Sequence, residues 1–260
     1  MKFKDLLRLF GHRAWFDFEM IRLASGEAAE CVHTEVYRWR RTGKLIELRR
    51  GLFVLAEPWR KQNIGGAELA EPIYPPSYLS GRWALGYWGL LSAAPGLEYS
   101  SASARPARVF TNAFGSYSYF TLPRDLLFGT TSLPGGAVFT QSRVPRPASA
   151  APGTLRAEPA GPPANGSLEV LAFGTCLPRI ALPEKALLDL CFIEGGEWDA
   201  ARFAGLGLSI HSDDPGPPAP SPGGANARSA PGIDPERFRA MAERSGRPRL
   251  IKAAKALESI

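Results

Sequence analysis

Several things are scarce in this chain. Cysteine occurs three times, as Cys31, Cys176 and Cys191. The number is odd and no CxxC pair exists, so no disulfide framework or zinc ribbon can be read from it. Buried, reduced thiols are the expectation. His12, His33 and His211 are the only histidines. They lie far apart and form no ligand cluster at zinc spacing, so neither a metal nor a cofactor is expected. No apolar run approaches the roughly 18 residues that span a bilayer. The opening MKFKDLLRLFGHRAWFDF is broken by Asp5, Arg8, Arg13 and Asp17 and lacks the apolar centre of a secretory signal. A soluble, cytoplasmic protein is expected. There is no GxxxxGK[ST], no GxGxxG after a strand, no GxSxG and no HExxH, and the expectation is a protein that is not an enzyme.

What is present suffices for a packed core. Of the 260 residues, 45% are hydrophobic and 22% charged. The length favours two domains over one. The net charge of +6 is uneven. Residues 1–61 hold thirteen Lys/Arg against eight Asp/Glu, and the rest hold eighteen against seventeen. The excess cation therefore sits in the first quarter, which points to an anionic partner there.

That quarter reads as three helices and a hairpin. Phe3, Leu6, Leu7 and Phe10 recur at helical spacing. Asp17 is placed to cap a second helix through Phe18, Met20, Ile21 and Leu23, with Gly26 ending it. A third helix, from about Glu30 to Arg41, has Val32, Val36 and Trp39 on one face. Gly43 stops it. Leu45 to Leu48 and Leu52 to Leu55 then flank Arg49-Arg50-Gly51 as a hairpin. This is the order of a winged helix-turn-helix, over residues 1–57. On such a fold His33, Thr34, Tyr37 and Arg38 are base-reading candidates. Arg38 is suited to guanine O6 and N7. Arg41 and Lys44 would lie over phosphates, and Arg49 and Arg50 at the wing tip. Arg40 has no evident place. The other reading of the same residues is a solvated basic face.

After a polar link, Glu57 to Gly66, residues 67–260 read as a second, mixed α/β region. A helix near Ala67 to Glu71 leads to a buried strand end at Tyr78-Leu79. An aromatic-rich helix from Gly81 carries Trp83, Leu85, Trp88 and Leu91. Strands are expected at Leu97–Ser101, Ala107–Thr111 and Tyr117–Leu122, and within SLEVLAF and PRIAL. LPEKALLDLCFI reads as a buried helix with Pro183 in its first turn. Asp234-Pro235-Glu236 opens a helix, Gly246 breaks it and a last amphipathic helix follows. Ser142 to Gly166 holds six prolines and three glycines, and Ser212 to Gly232 six and four. Both read as flexible insertions. The overall expectation is a mixed α+β protein.

Two short constellations carry possible chemistry. Ser80-Gly81 before a helix is either an anion nest or an N-cap serine, the second being the commoner use. Glu184, Lys185 and Asp189 resemble a nuclease set superficially. An acid and a lysine two apart on one strand would be needed, whereas these are adjacent at a helix start.

Taken in order, four segments resemble the AbiEi family of antitoxins and transcriptional regulators from bacterial abortive-infection toxin–antitoxin systems. They are WRRTGKLIELRRGLFVL, YLSGRWALGYWGL, RIALPEKALLDL and IDPERFRAMAERSGRPRLIKAAKAL. Phe53 stands where the family usually has Tyr, and Trp39 where Leu is commoner. The resemblance makes Ser80, Gly81, Glu184, Lys185 and Asp189 family-motif positions. It implies an N-terminal winged-helix domain that represses the protein's own operon by binding inverted repeats in promoter DNA. It also implies a mixed α/β antitoxin domain, ending in helices, that counteracts a cognate nucleotidyltransferase-like toxin, with or without direct contact. A solitary regulator without antitoxin activity, and a protein–protein interaction module, are the alternatives.

Overall fold

The structure is a computed structural model that describes residues 1–91, 95–133, 178–208 and 232–259. The strand expected in SLEVLAF, Cys176, His211, residues 142–166 and residues 212–231 lie outside the described residues. Among the described residues the protein is mixed α+β, with nine α-helices and two sheets. None of these helices is long and apolar enough to cross a membrane.

The first sixty residues form α1 (Phe3–Phe10), β1 (Phe16–Asp17), α2 (Phe18–Ser25), α3 (Ala29–Arg41), β2 (Leu45–Arg49) and β3 (Leu52–Leu55). Asp17 caps α2 as its position suggested, its carboxylate accepting from the Met20 amide at 2.8 Å. A small sheet has the order β1-β3-β2, all antiparallel. Gly51 turns the β2–β3 hairpin at φ 79°, a conformation that favours glycine.

All four residues of β3, LFVL, are buried. Their side chains alternate between two cores. Phe53 and Leu55 join Leu6, Phe10, Phe16, Ile21, Val32, Val36, Trp39 and Leu45 beneath α1–α3. Leu52 and Val54, with Leu48, join the core of the following region. A strand covered on both faces has no solvent side to keep polar, which is why its sequence does not alternate. Each such side chain contributes about 1.5–3 kcal/mol on burial.

The link is correspondingly packed. Trp59 meets Phe3 edge-on at 5.7 Å, Ile64 is buried and Arg60 lies over the Phe114 ring at 5.5 Å. Its apolar residues, few as they are, fill the junction of the two cores.

The second region carries α4 (Gly66–Ile73), β4 (Tyr78–Leu79), α5 (Gly81–Tyr87), β5 (Glu98–Ser103), β6 (Arg108–Asn112), β7 (Gly115–Thr121), β8 (Thr130–Ser132), β9 (Arg179–Ala181), α6 (Pro183–Glu194), α7 (Ala200–Gly205), α8 (Pro235–Arg244) and α9 (Pro248–Leu257). Its sheet has the order β6-β7-β5-β4-β9-β8, with β5–β7 and β4–β9 parallel and the other pairs antiparallel. β1, β8 and α7 are too short to show a hydrophobic period and were not anticipated. The aromatic helix α5 ends at Tyr87, four residues short of the expected Leu91.

A tyrosine cluster fastens α4 to this sheet. Tyr117 donates its hydroxyl to the Gly66 carbonyl at 3.0 Å and Tyr119 to that of Ala70 at 2.5 Å. Burial pushes both phenols well above their ordinary range. Tyr99 stacks on Tyr117 at 4.8 Å. A Cβ at Gly66 would stand 2.2 Å from the Tyr99 hydroxyl oxygen. Gly66→Ala is therefore expected to lower stability by about 1–3 kcal/mol through overpacking, read as a fall in denaturant midpoint at constant m-value.

The expectation of buried thiols holds for Cys191 but not for Cys31, which is exposed. Cys31 precedes Val32 on α3, and one step back around the helix turns it from core to solvent.

Candidate nucleic-acid interface

The apolar spacing of α3 sets the direction of every other residue on it. Val32, Val36 and Trp39 are at most 5% exposed and face the small core. The remaining positions turn outward, and His33, Thr34, Tyr37, Arg38, Arg40 and Arg41 are all exposed. Tyr37 is 56% exposed, unusual for a large aromatic, and the Arg41 guanidinium lies 5.8 Å from its ring centre.

The outward residues are already oriented. His33 stacks on Phe18 of α2, ring centres 4.0 Å apart, so the start of α2 positions it. The Thr34 hydroxyl donates to the Glu30 carbonyl at 3.0 Å. Arg38 pairs with Glu35 at 2.9 Å across one helical turn. An exposed pair of this kind contributes under about 1 kcal/mol, so a better acceptor can displace it.

Arg40, unplaced by the sequence, forms an ion pair with Glu47 of β2. This pair ties the end of α3 to the hairpin and takes Arg40 out of the outward set.

Two of the residues expected over phosphates or at the wing tip have partners within the protein. Lys44 is half-buried, its ammonium 4.6 Å from the centre of the Phe3 ring. Arg49 donates Nε to the Ile73 carbonyl at 2.7 Å and Nη1 to the Arg50 carbonyl at 3.2 Å. The reason is the second core. Because the outer face of the hairpin packs on the following region, Arg49 is drawn against α4. Asn112 of β6 likewise donates to the Leu48 carbonyl at 3.2 Å. Arg50 alone of the turn arginines is exposed. The outward face of α3 thus carries His33, Thr34, Tyr37, Arg38 and Arg41, and Arg50 is exposed on the hairpin turn.

The second constellation converges in the following region. Asp189 and Lys185, one turn apart on α6, are 0% exposed and pair with each other. Asp189 also accepts from the Ser80 hydroxyl at 2.7 Å and the Tyr78 hydroxyl at 3.0 Å. The Lys185 ammonium faces the rings of Phe128 and Tyr78, at 5.2 and 5.7 Å. Burial pushes the Asp189 carboxyl up and the Lys185 ammonium down, each partly restored by its partner's charge. Burial and the Asp189 charge push the Tyr78 phenol up.

Ser80 is thus not a side-chain cap of α5, because its hydroxyl is committed to Asp189. Ser100 of β5 does the work expected of it, accepting from the Trp83 amide at 3.3 Å and donating to the Ser80 carbonyl at 2.6 Å. Gly81 is buried at the first position of α5. Glu184 is 4% exposed and accepts from the Asp234 amide at 3.4 Å, which joins α6 to the start of α8. Tyr78 and Ser100 were missed in the sequence, where nothing marks a hydroxyl whose partner lies far along the chain. Tyr78, Ser80, Lys185 and Asp189 form a buried polar joint between β4, the start of α5 and α6.

The chain matches no family model, no curated protein and no solved structure.

Proposed function

We propose that the chain is a DNA-binding transcriptional repressor of the AbiEi antitoxin type, acting in the bacterial cytoplasm by occupancy, with no chemistry of its own. The observation that carries this reading is the outward face of α3. Its core residues are spent on packing, and a tyrosine, a histidine and two arginines are left projecting together. The order helix, strand, helix, helix, strand, strand, closed by the β1-β3-β2 sheet, supports a winged helix-turn-helix. In that reading α3 enters a major groove, Tyr37 and Arg38 meet base edges, and Arg41 and Arg50 meet phosphates. The antitoxin role, against a nucleotidyltransferase-like toxin, rests on the sequence resemblance of residues 67–260.

A second reading, a protein–protein module, draws on Leu23 of α2, which is 72% exposed. DNA affinity distinguishes the two readings. Fluorescence anisotropy against the DNA upstream of the protein's own gene, titrated over salt, is the test. Arg50→Ala is expected to weaken binding to all sequences and flatten the log–log salt slope by about one unit. Arg49→Ala is expected to leave that slope unchanged. It should instead lower stability by about 1.5–3 kcal/mol, the usual worth of a hydrogen bond from a charged group. Equal salt slopes for wild type and Arg50→Ala would remove the hairpin turn from the interface.

A further inference from the structure

Beyond the DNA-facing surface, a cleft of about 270 Å³ opens between α8 and the loop before β8. It is lined by Phe128, Gly129, Arg237, Ala240, Met241 and Arg244. The four α8 residues recur at i, i+3, i+4 and i+7 and so form one stripe of the helix. That stripe is distinct from the face through which Phe238 and Ala242 enter the core. The middle of the cleft is apolar, from Phe128, Ala240 and Met241. Its two ends are cationic, with the arginine Cα atoms separated by about 10.5 Å, seven residues of helical rise.

The two cations differ in how far they are neutralised. Arg237 has a carboxylate neighbour, Asp234, at 3.3 Å. Arg244 lies over the Phe128 ring, its guanidinium carbon 4.2 Å from the centroid. Among the described residues it makes no ion pair with a carboxylate. The same ring also faces the Lys185 ammonium at 5.2 Å, but Asp189 balances that charge. Arg244 thus rests against an aromatic ring at the mouth of an apolar cleft, with no carboxylate partner among the described residues. A guanidinium in this state accepts a carboxylate, sulfonate or phosphate in bidentate fashion.

We propose that this cleft binds a small aromatic acid, its flat apolar body over Ala240 and Met241 and its anionic group on Arg244. The volume is slightly below the usual range for drug-sized ligands, about 300–1,000 Å³, and suits a body of about two fused rings.

The probe is 1-anilinonaphthalene-8-sulfonate, which fluoresces in an apolar site and carries one sulfonate. With the full-length protein, saturable binding at one site is expected. Arg244→Gln should weaken it at least tenfold. Ala240→Leu fills the exposed centre of the cleft while keeping both arginines and a good helix former, and should abolish it. The uncharged analogue N-phenyl-1-naphthylamine should bind at least tenfold more weakly than the sulfonate. Circular dichroism melts of the two variants should match the wild type. The proposal is overturned if the sulfonate does not bind, or if folded Arg244→Gln and Ala240→Leu bind it like wild type. Equal affinity for the two probes would also overturn it.

Discussion

Replacing Lys185 by methionine is expected to destabilise the fold by about 3–5 kcal/mol, more than any surface substitution discussed above. The size follows from what is left behind. Lys185 is entirely buried and is the positive partner of Asp189, itself entirely buried. Methionine keeps much of the lysine volume, so the loss is not mainly a cavity. It is the cost of a carboxylate in the core with two hydroxyl donors, Tyr78 and Ser80, and no compensating charge. The double substitution Lys185→Met with Asp189→Asn tests this account. The amide is neutral and its oxygen still accepts from Ser80 and Tyr78. The double variant should therefore be more stable than Lys185→Met alone by at least about 1 kcal/mol, a non-additivity characteristic of directly coupled groups. Urea midpoints at constant m-value provide the readout. A loss below about 1 kcal/mol for the single variant, or strict additivity, would contradict a joint held by charge.

The second large effect concerns α3. If α3 reads DNA as proposed, Arg38→Ala is expected to cost about 1–3 kcal/mol in binding to the preferred site and to relax discrimination at one base pair. In the proposed reading, Tyr37→Ala and Arg41→Ala remove the neighbouring aromatic contact and a phosphate contact. All three side chains are exposed. The triple variant should therefore stay folded, with stability within about 0.5 kcal/mol per site of the wild type. Loss of DNA preference without loss of fold is what separates a recognition surface from a packing one. A melt shifted far downward would instead assign these residues to the structure.

Some of this architecture was legible in the sequence for physical reasons that can be named. α2 and α3 announced themselves through Asp17, through glycine at Gly26 and Gly43, and through apolar spacing at Val32, Val36 and Trp39. The hairpin did so through Gly51 between two apolar runs. Its double burial was written in the same letters. LFVL is apolar at every position, as a strand covered on both sides must be, yet hairpin patterning alone does not say what covers the second face. That omission hid the bond from Arg49 to the Ile73 carbonyl of α4. Arg40 needed Glu47 for its assignment, and the pair joins different elements. Asp189 meets Tyr78 and Ser80 across more than a hundred residues. No local period reports such a contact. Lys185 and Asp189 were visible at i, i+4 on one helix, but their complete burial depends on β4, α5 and the Phe128 loop closing around them.

The DNA-binding reading is tested most directly by one titration. Full-length protein is titrated by anisotropy against the duplex upstream of its own gene and against a scrambled duplex of the same composition, at one salt concentration. The account predicts a preference on the order of 10³-fold or more for the upstream duplex, and its collapse in the Tyr37→Ala/Arg38→Ala/Arg41→Ala variant. Equal affinity for the two duplexes, or a preference that survives the triple substitution, would contradict it.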